Sequence, residues 1–211
     1  MIAAVDEFIL FDDVQYTRRD WRNRNLIKTP QGVRWLTVPV QVKGKYEQTI
    51  RQTKVAGTDW RTAHWHTLQL NYKRSPCFDQ IAALLAPFFA GPDVKHLSDI
   101  NRQLLEVVCG YLGITTRISS TADYDMIEGK SSRLADLCVQ AGATEYISGP
   151  SAKTYIDVDA FESRDIALSW FDYAGYPTYP QLWEEFTHNV SIVDLLFNCG
   201  RESGSYMKFV I

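Results

Sequence analysis

The chain has no run of apolar residues approaching the roughly 18 that span a bilayer, and no basic stretch ahead of an apolar core at its start. Neither a membrane span nor a secretory leader is expected, and the expected compartment is the cytoplasm. Cysteine is scarce: Cys77, Cys109, Cys138 and Cys199 are the 4 present, none forms a CxxC pair, and three lie in apolar surroundings. This fits reduced core thiols in a cytosolic protein rather than a disulfide framework. Positive charge is not in excess either, since 22 Lys and Arg meet 25 Asp and Glu for a formal net charge of −3. General affinity for nucleic acid is therefore not expected. Fixed-period repeats and low-complexity linkers are also missing.

What is present is an ordinary globular composition, 211 residues with 45% hydrophobic and 22% charged. At such a length folding buries roughly 70% of the unfolded chain's surface, so no metal or disulfide is needed to hold a core. The apolar run Phe8-Ile9-Leu10-Phe11 reads as a buried strand, and Arg34 to Val40 as a second one after a polar loop. Helices are expected from about Thr58 to Tyr72, from Phe78 to Phe89, and from Ser98 to Leu112 with Gly113 as its stop. Strands at Thr115–Ser119, Glu145–Ser148 and Ile166–Phe171, with a helix at Ser131–Ala141, complete an alternation that favours a parallel sheet with crossover helices. The expected fold class is thus α/β, mostly parallel and nucleotide-binding-like. One domain over 1–211 is expected, with a helical insertion at about 58–113.

The densest chemistry follows the first strand, in Asp12-Asp13-Val14-Gln15-Tyr16 and Arg18-Arg19-Asp20-Trp21-Arg22-Asn23-Arg24-Asn25. The carboxyl end of a strand is where an open α/β sheet places its ligand. Adjacent aspartates on a strand point in opposite directions, which does not suit an acid/base pair. One of Asp12 and Asp13 is expected to orient a ligand and the other to pair with a loop arginine. A cap or turn would also account for either. Gln15 beside Tyr16 offers an amide next to an aromatic wall, while Trp21, Arg22, Asn23, Arg24 and Asn25 offer a stacking surface and forked cations for carboxylate or phosphate. A solvated basic loop is the bland alternative.

His64 and His66 fall on different faces of a helix, so a shared metal is not expected. His64 alone reads either as a buried, hydrogen-bonded histidine or as a site residue. Ser148-Gly149-Pro150-Ser151-Ala152-Lys153 follows a strand and could cradle phosphate at a helix N-terminus through its amides and Lys153, although it lacks the glycine spacing of a P-loop. An ordinary strand-to-helix turn explains it too. The segment Ser191 to Asn198 reads as a core helix, with Asp194 complementing its dipole.

Taken in order, Asp12-Asp13-Val14-Gln15-Tyr16, Trp21-x-Asn23-Arg24-Asn25, Leu36-Thr37-Val38-Pro39-Val40, Trp60 with His64, Leu70-Asn71-Tyr72, Tyr146-Ile147-Ser148-Gly149, Tyr179-Pro180-Gln181 and Ser191 to Asn198 resemble the WbqC-like family of bacterial O-antigen and surface-polysaccharide loci. The resemblance implies an enzyme modifying a nucleotide-linked amino sugar, plausibly by amide formation with an amino acid or small acyl group. In that reading Asp12, Gln15 and His64 act in catalysis, Asp13, Tyr16 and Trp21 to Asn25 hold substrate, and Ser148, Gly149, Ser151 and Lys153 hold phosphate. A weaker resemblance to pantothenate synthetase implies ATP and magnesium, with Lys153 on phosphate and Gln15 on the acyl group. The alternative is a non-catalytic carbohydrate- or partner-binding protein with a shallow aromatic groove around Tyr16, Trp21 and Trp35. The expected partner is an anionic or sugar-nucleotide small molecule. Family members usually open with a strand and a Gln-Pro-x-Tyr-x-Pro segment, which this chain would lack. A central strand and part of the site would then be absent, with reduced stability or a partner covering the gap as the expectation; a homo-oligomer is a separate expected assembly.

Overall fold

The apolar run at the start becomes β1 (Glu7–Leu10), which pairs in parallel with a strand more than a hundred residues later, in the register Glu7 to Arg117 through Leu10 to Ser120. The computed structural model describes residues 1–183 and 185–210. The elements after β1 are β2 (Arg24–Thr29), β3 (Gly32–Thr37), α1 (Asp59–Tyr72), α2 (Phe78–Ala90) and α3 (Leu97–Leu112). They are followed by β4 (Arg117–Ser120), α4 (Ser131–Gln140), β5 (Glu145–Ser148), α5 (Asp159–Glu162), β6 (Ala167–Trp170) and α6 (Ile192–Cys199). Among the described residues, no helix is long and apolar enough to cross a membrane.

Two compact units share the chain. The first comprises Met1–Phe11 and Thr116–Gly175, the second Asp12–Thr115 and Tyr176–Ile211. The first is α/β, with two parallel strand pairs, β1 with β4 and β5 with β6. Its core gathers Ala135 and Cys138 of α4, Phe161 of α5 and Ile166, with Tyr146 stacked on Phe161 at 5.2 Å. Burial pushes the Cys138 thiol up to about 11.

The second unit packs α1, α2, α3 and α6 around an antiparallel hairpin of β2 and β3. Its core is Ile27, Leu68, Tyr72, Ile81, Leu85, Tyr111, Leu196 and Phe197, and the Tyr72 and Phe197 rings stack at 4.7 Å. α3 places Leu97, Ile100 and Leu104 one turn apart on an apolar stripe, and Gly113 ends it in the left-handed conformation at φ +71°.

The strand Arg24–Thr29 lies inside what the sequence presents as a polar loop, and this is a correction. Arg24, Asn25 and Lys28 weaken the strand signal, but a turn at Pro30 and Gln31 aligns Ile27 with Arg34 and turns Ile27 into the helical core. The second strand accordingly ends at Thr37 rather than Val40. The fold is mixed α/β with small sheets, and its hairpin is antiparallel.

Candidate functional site

The loop between β1 and β2 is held by short-range polar contacts and one bridge. Gln15 bridges Thr49 in antiparallel fashion, and its amide Nε2 donates to the Tyr46 carbonyl at 2.8 Å. Asp13 pairs with Arg51 at 3.1 Å, so its guanidinium partner comes from outside the loop. The loop's own pairing is Asp20 with Arg22, and Arg22 also donates to Thr17 at 2.9 Å. Asp12 uses its backbone carbonyl to accept from the Arg51 amide at 3.0 Å. Tyr16 is buried beside Ile50 and Leu97, and burial, with Asp20 adding, raises its hydroxyl pKa.

Arg24, Trp35 and Trp21 form the exposed face of this region. The Trp21 and Trp35 rings lie 5.1 Å apart at 55°, and the Arg24 guanidinium sits 4.1 Å from the Trp35 ring centre. Trp21 remains 61% exposed and Trp35 43%, an unusual outlay of large aromatic surface for side chains that close no core. Arg24 Nη2 donates to the Arg19 carbonyl at 2.6 Å, which fixes the guanidinium over the ring. Asn25 accepts from the Leu26 amide and faces outward.

Two neighbouring side chains here carry unused hydrogen-bonding atoms. Asn23 is buried and donates through Nδ2 to the Val38 carbonyl at 2.9 Å, while its Oδ1 is buried with no partner among the described residues. Arg24 Nε is likewise buried and unpaired among them. Each such atom costs about 1–3 kcal/mol unless something satisfies it. His64 of α1 lies on the same strand end, with Nε2 3.1 Å from the Thr37 carbonyl and its ring edge-on to Trp60. A carbonyl only accepts, so Nε2 carries the proton and Nδ1 is left as the acceptor. Burial lowers the imidazole pKa below its ordinary 6.5, against a smaller opposing effect of that hydrogen bond, which keeps His64 neutral at pH 7.

The Ser148–Lys153 turn belongs to the first unit. Ser148 is buried at the end of β5, and Pro150–Thr154 form a 3-10 stretch rather than the start of an α-helix. The amide fan of a long helix is therefore missing from this turn. Gly149 has open space where a Cβ would stand, Ser151 is exposed, and Lys153 Nζ lies 5.5 Å from the Trp170 ring. Among the described residues no three His, Cys, Asp or Glu side chains come together as metal ligands. Among the described residues, ATP and magnesium are therefore offered neither an acidic trio nor a helical phosphate cradle at this turn.

A buried network also emerges that sequence reading missed. Asp194 is 0% exposed in the first turn of α6, and its carboxylate accepts from the hydroxyls of Tyr72 and Tyr179 and from Gln181 Nε2, each at 2.8 Å. Gln181 in turn accepts through Oε1 from Lys28 Nζ at 2.8 Å, and Lys28 also donates to the Glu185 carbonyl at 2.6 Å. The Lys28 amide donates to the Tyr72 hydroxyl, closing the circuit onto β2. Burial, with the Asp194 charge adding, raises the pKa of both phenols far above the usual tyrosine range, and burial lowers that of Lys28. Asp194 is thus a hub tying α1, α6 and β2 together rather than a dipole complement. The available signal was that Asn71-Tyr72, Tyr179-Pro180-Gln181 and the 191–198 segment were each singled out, and they converge here.

Fold and site together define a small mixed α/β protein whose hairpin, clamped near its turn at Lys28 by a buried polar hub, presents two tryptophans and an arginine. The chain belongs to the WbqC-like protein family, whose match covers residues 1–206. It is 54% identical over 209 residues to the uncharacterized protein Rv1507c of Mycobacterium tuberculosis (strain ATCC 25618 / H37Rv), a similarity covering 99% of this chain and 90% of that protein. No solved structure matches it.

Proposed function

We propose that the chain serves bacterial surface-polysaccharide biosynthesis by binding a nucleotide-linked amino sugar on the hairpin face of its second unit. The observation that carries this is the Arg24 guanidinium held 4.1 Å over Trp35 beside the exposed Trp21. Aromatic faces take the apolar face of a sugar or the plane of a base, and a pre-oriented guanidinium takes phosphate oxygens bidentately. The test is thermal-shift and calorimetric titration with UDP- and GDP-linked amino sugars, free nucleotides, and ATP with magnesium as separate arms. Stabilisation by a nucleotide sugar that disappears in Trp21→Ala supports the reading. No response to any nucleotide sugar overturns it.

A catalytic reading of the same site is favoured by His64. Amide formation joins the sugar's amino nitrogen to an activated acyl carbon while the donor's leaving group departs, and the nitrogen must shed a proton. A neutral imidazole with Nδ1 free to accept is suited to take it. In this reading His64→Gln abolishes turnover while nucleotide-sugar affinity is retained; loss of both together would count against a base.

A further inference from the structure

Four arginines and one aspartate fall between Arg18 and Arg24, and three of those arginines have a local task. Arg18 donates to the Val42 carbonyl at 3.1 Å, with its guanidinium 5.4 Å from the Tyr46 ring centre. Arg22 takes the Asp20 carboxylate, which also accepts from the Thr17 hydroxyl at 2.7 Å. Arg24 is held over Trp35. The Arg19 side chain is exposed, and it alone of the four has no carboxylate, carbonyl or ring set against its guanidinium among the described residues.

The Arg19 backbone, by contrast, is committed. It adopts the left-handed conformation at φ +58°, which glycine reaches without penalty and a residue bearing a Cβ does not. In that conformation its carbonyl accepts from Arg24 Nη2 at 2.6 Å, the latch that keeps Arg24 over the ring. A latch made of backbone needs no side chain, and glycine would form it with less strain. What arginine adds is its head group. A hydrogen bond of 2.6 Å to its carbonyl puts the Arg19 Cα no more than about 5 Å from the Arg24 nitrogen, so a second guanidinium is tethered beside the first. Cations so placed repel each other, and an anion with oxygens on two centres relieves the repulsion while filling both forks.

We propose that Arg19 is a further ligand-binding residue of the hairpin face, and that Arg19 and Arg24 together clamp the two phosphates of a nucleoside diphosphate. The clamp rests on the nucleotide-sugar reading of that face and narrows it to sugars carried on a diphosphate, at the expense of those joined through a single phosphate. Asp20, the carboxylate next in sequence, does not compete for Arg19, because Arg22 and Thr17 already engage it.

The experiment is calorimetric titration of the unaltered 211-residue chain, Arg19→Gly, Arg19→Asn and Arg34→Ala with UDP- and GDP-linked amino sugars, with UDP and GDP, and with UMP and GMP. Glycine and asparagine are the residues that best accept a left-handed backbone, so both Arg19 variants should keep the latch on Arg24 and melt at or above the temperature of the unaltered chain. Both are expected to bind nucleotide sugar and nucleoside diphosphate about tenfold more weakly, the loss of one hydrogen bond to a charged group, with affinity for UMP and GMP changed less than about twofold. Arg34→Ala removes an equal charge from the exposed β3 strand, on the face opposite Trp35, and should leave every affinity within about twofold. A loss shared equally by mono- and diphosphates, or matched by Arg34→Ala, overturns the clamp by reducing Arg19 to general attraction. A lower melting temperature with uniform loss overturns it in favour of a structural role. Unchanged affinity in both Arg19 variants, where the unaltered chain binds, overturns the clamp and leaves the nucleotide-sugar reading standing. If the unaltered chain binds no nucleotide sugar, that reading fails first and the clamp falls with it.

Discussion

Arg24 and Lys28 point to the same face of β2, opposite Thr37 and Val33 of β3, yet they meet contrary surroundings. Lys28 is 3% exposed and its ammonium is held by Gln181 and the Glu185 carbonyl, within a circuit that ends on Asp194. Arg24 lies at the open end of the hairpin, with its guanidinium 4.1 Å from the centre of the exposed Trp35 ring. One cation is spent on holding the hairpin still; the other is held in readiness. A rigid support behind exposed aromatic rings and a fixed guanidinium are the conditions under which a binding surface is pre-organised, since little further ordering is needed when a ligand arrives.

Breaking the rear should have the largest effect. Asp194→Ala strands the buried Tyr72 phenol, the partly buried Tyr179 phenol and part of the Gln181 amide, and is expected to destabilise by about 3–5 kcal/mol, measured by chemical denaturation. Tyr72→Phe removes one donor to Asp194 and the acceptor of the Lys28 amide, at about 1–3 kcal/mol by the same measurement. The front should respond differently. Trp21→Ala is expected to leave stability within about 0.5 kcal/mol and to weaken nucleotide-sugar binding by about 1–3 kcal/mol, read by calorimetry. If Trp21→Ala unfolds the protein, or Asp194→Ala leaves its stability intact, the division between front and rear fails.

The smallest effect is a pH dependence. The folded-state pKa of His64 is depressed below 6.5 chiefly by burial. The unfolded chain therefore binds a proton at this position that the folded chain refuses, and stability falls as pH drops below 6.5 toward the folded value. Above 6.5 both states are neutral and the contribution is flat. His64→Gln should remove that portion of the acid slope in denaturation curves taken between pH 5 and 7, and an unchanged slope would assign it to other groups.

Much of the scaffold was legible in the sequence because it rests on local signals. The apolar spacing of α3, the Gly113 stop and the short apolar runs of β1 and β5 all lie where periodicity and turn chemistry put them. β2 was not legible, since its edges are Arg24, Asn25 and Lys28, and only the pairing with β3 and the burial of Ile27 make it a strand. Asp194 was misread for a related reason. A carboxylate in the first turn of a helix has a sufficient local explanation, whereas its partners Tyr72 and Tyr179 reach it through tertiary packing. Trp21, Arg24 and Asn23 were recognisable as site candidates by residue type. That Asn23 and Arg24 each keep a buried atom unpaired is a property of the folded environment alone.

The pairing of β1 with β4 has a consequence for the order in which the protein is made. Glu7 bonds to Arg117, 110 positions further along the sequence, and the whole of Asp12–Thr115 lies between them. As the chain leaves the ribosome, β1 emerges well before β4 and cannot pair with it until the helices α1 to α3 have been synthesised. At about 5–20 residues per second that interval lasts roughly 5–20 seconds, during which Phe8-Ile9-Leu10 are an unpaired apolar edge. The nascent chain is therefore exposed to aggregation at β1 during this wait, and slowing elongation through α2 and α3 should lower the soluble yield more than slowing it after β4.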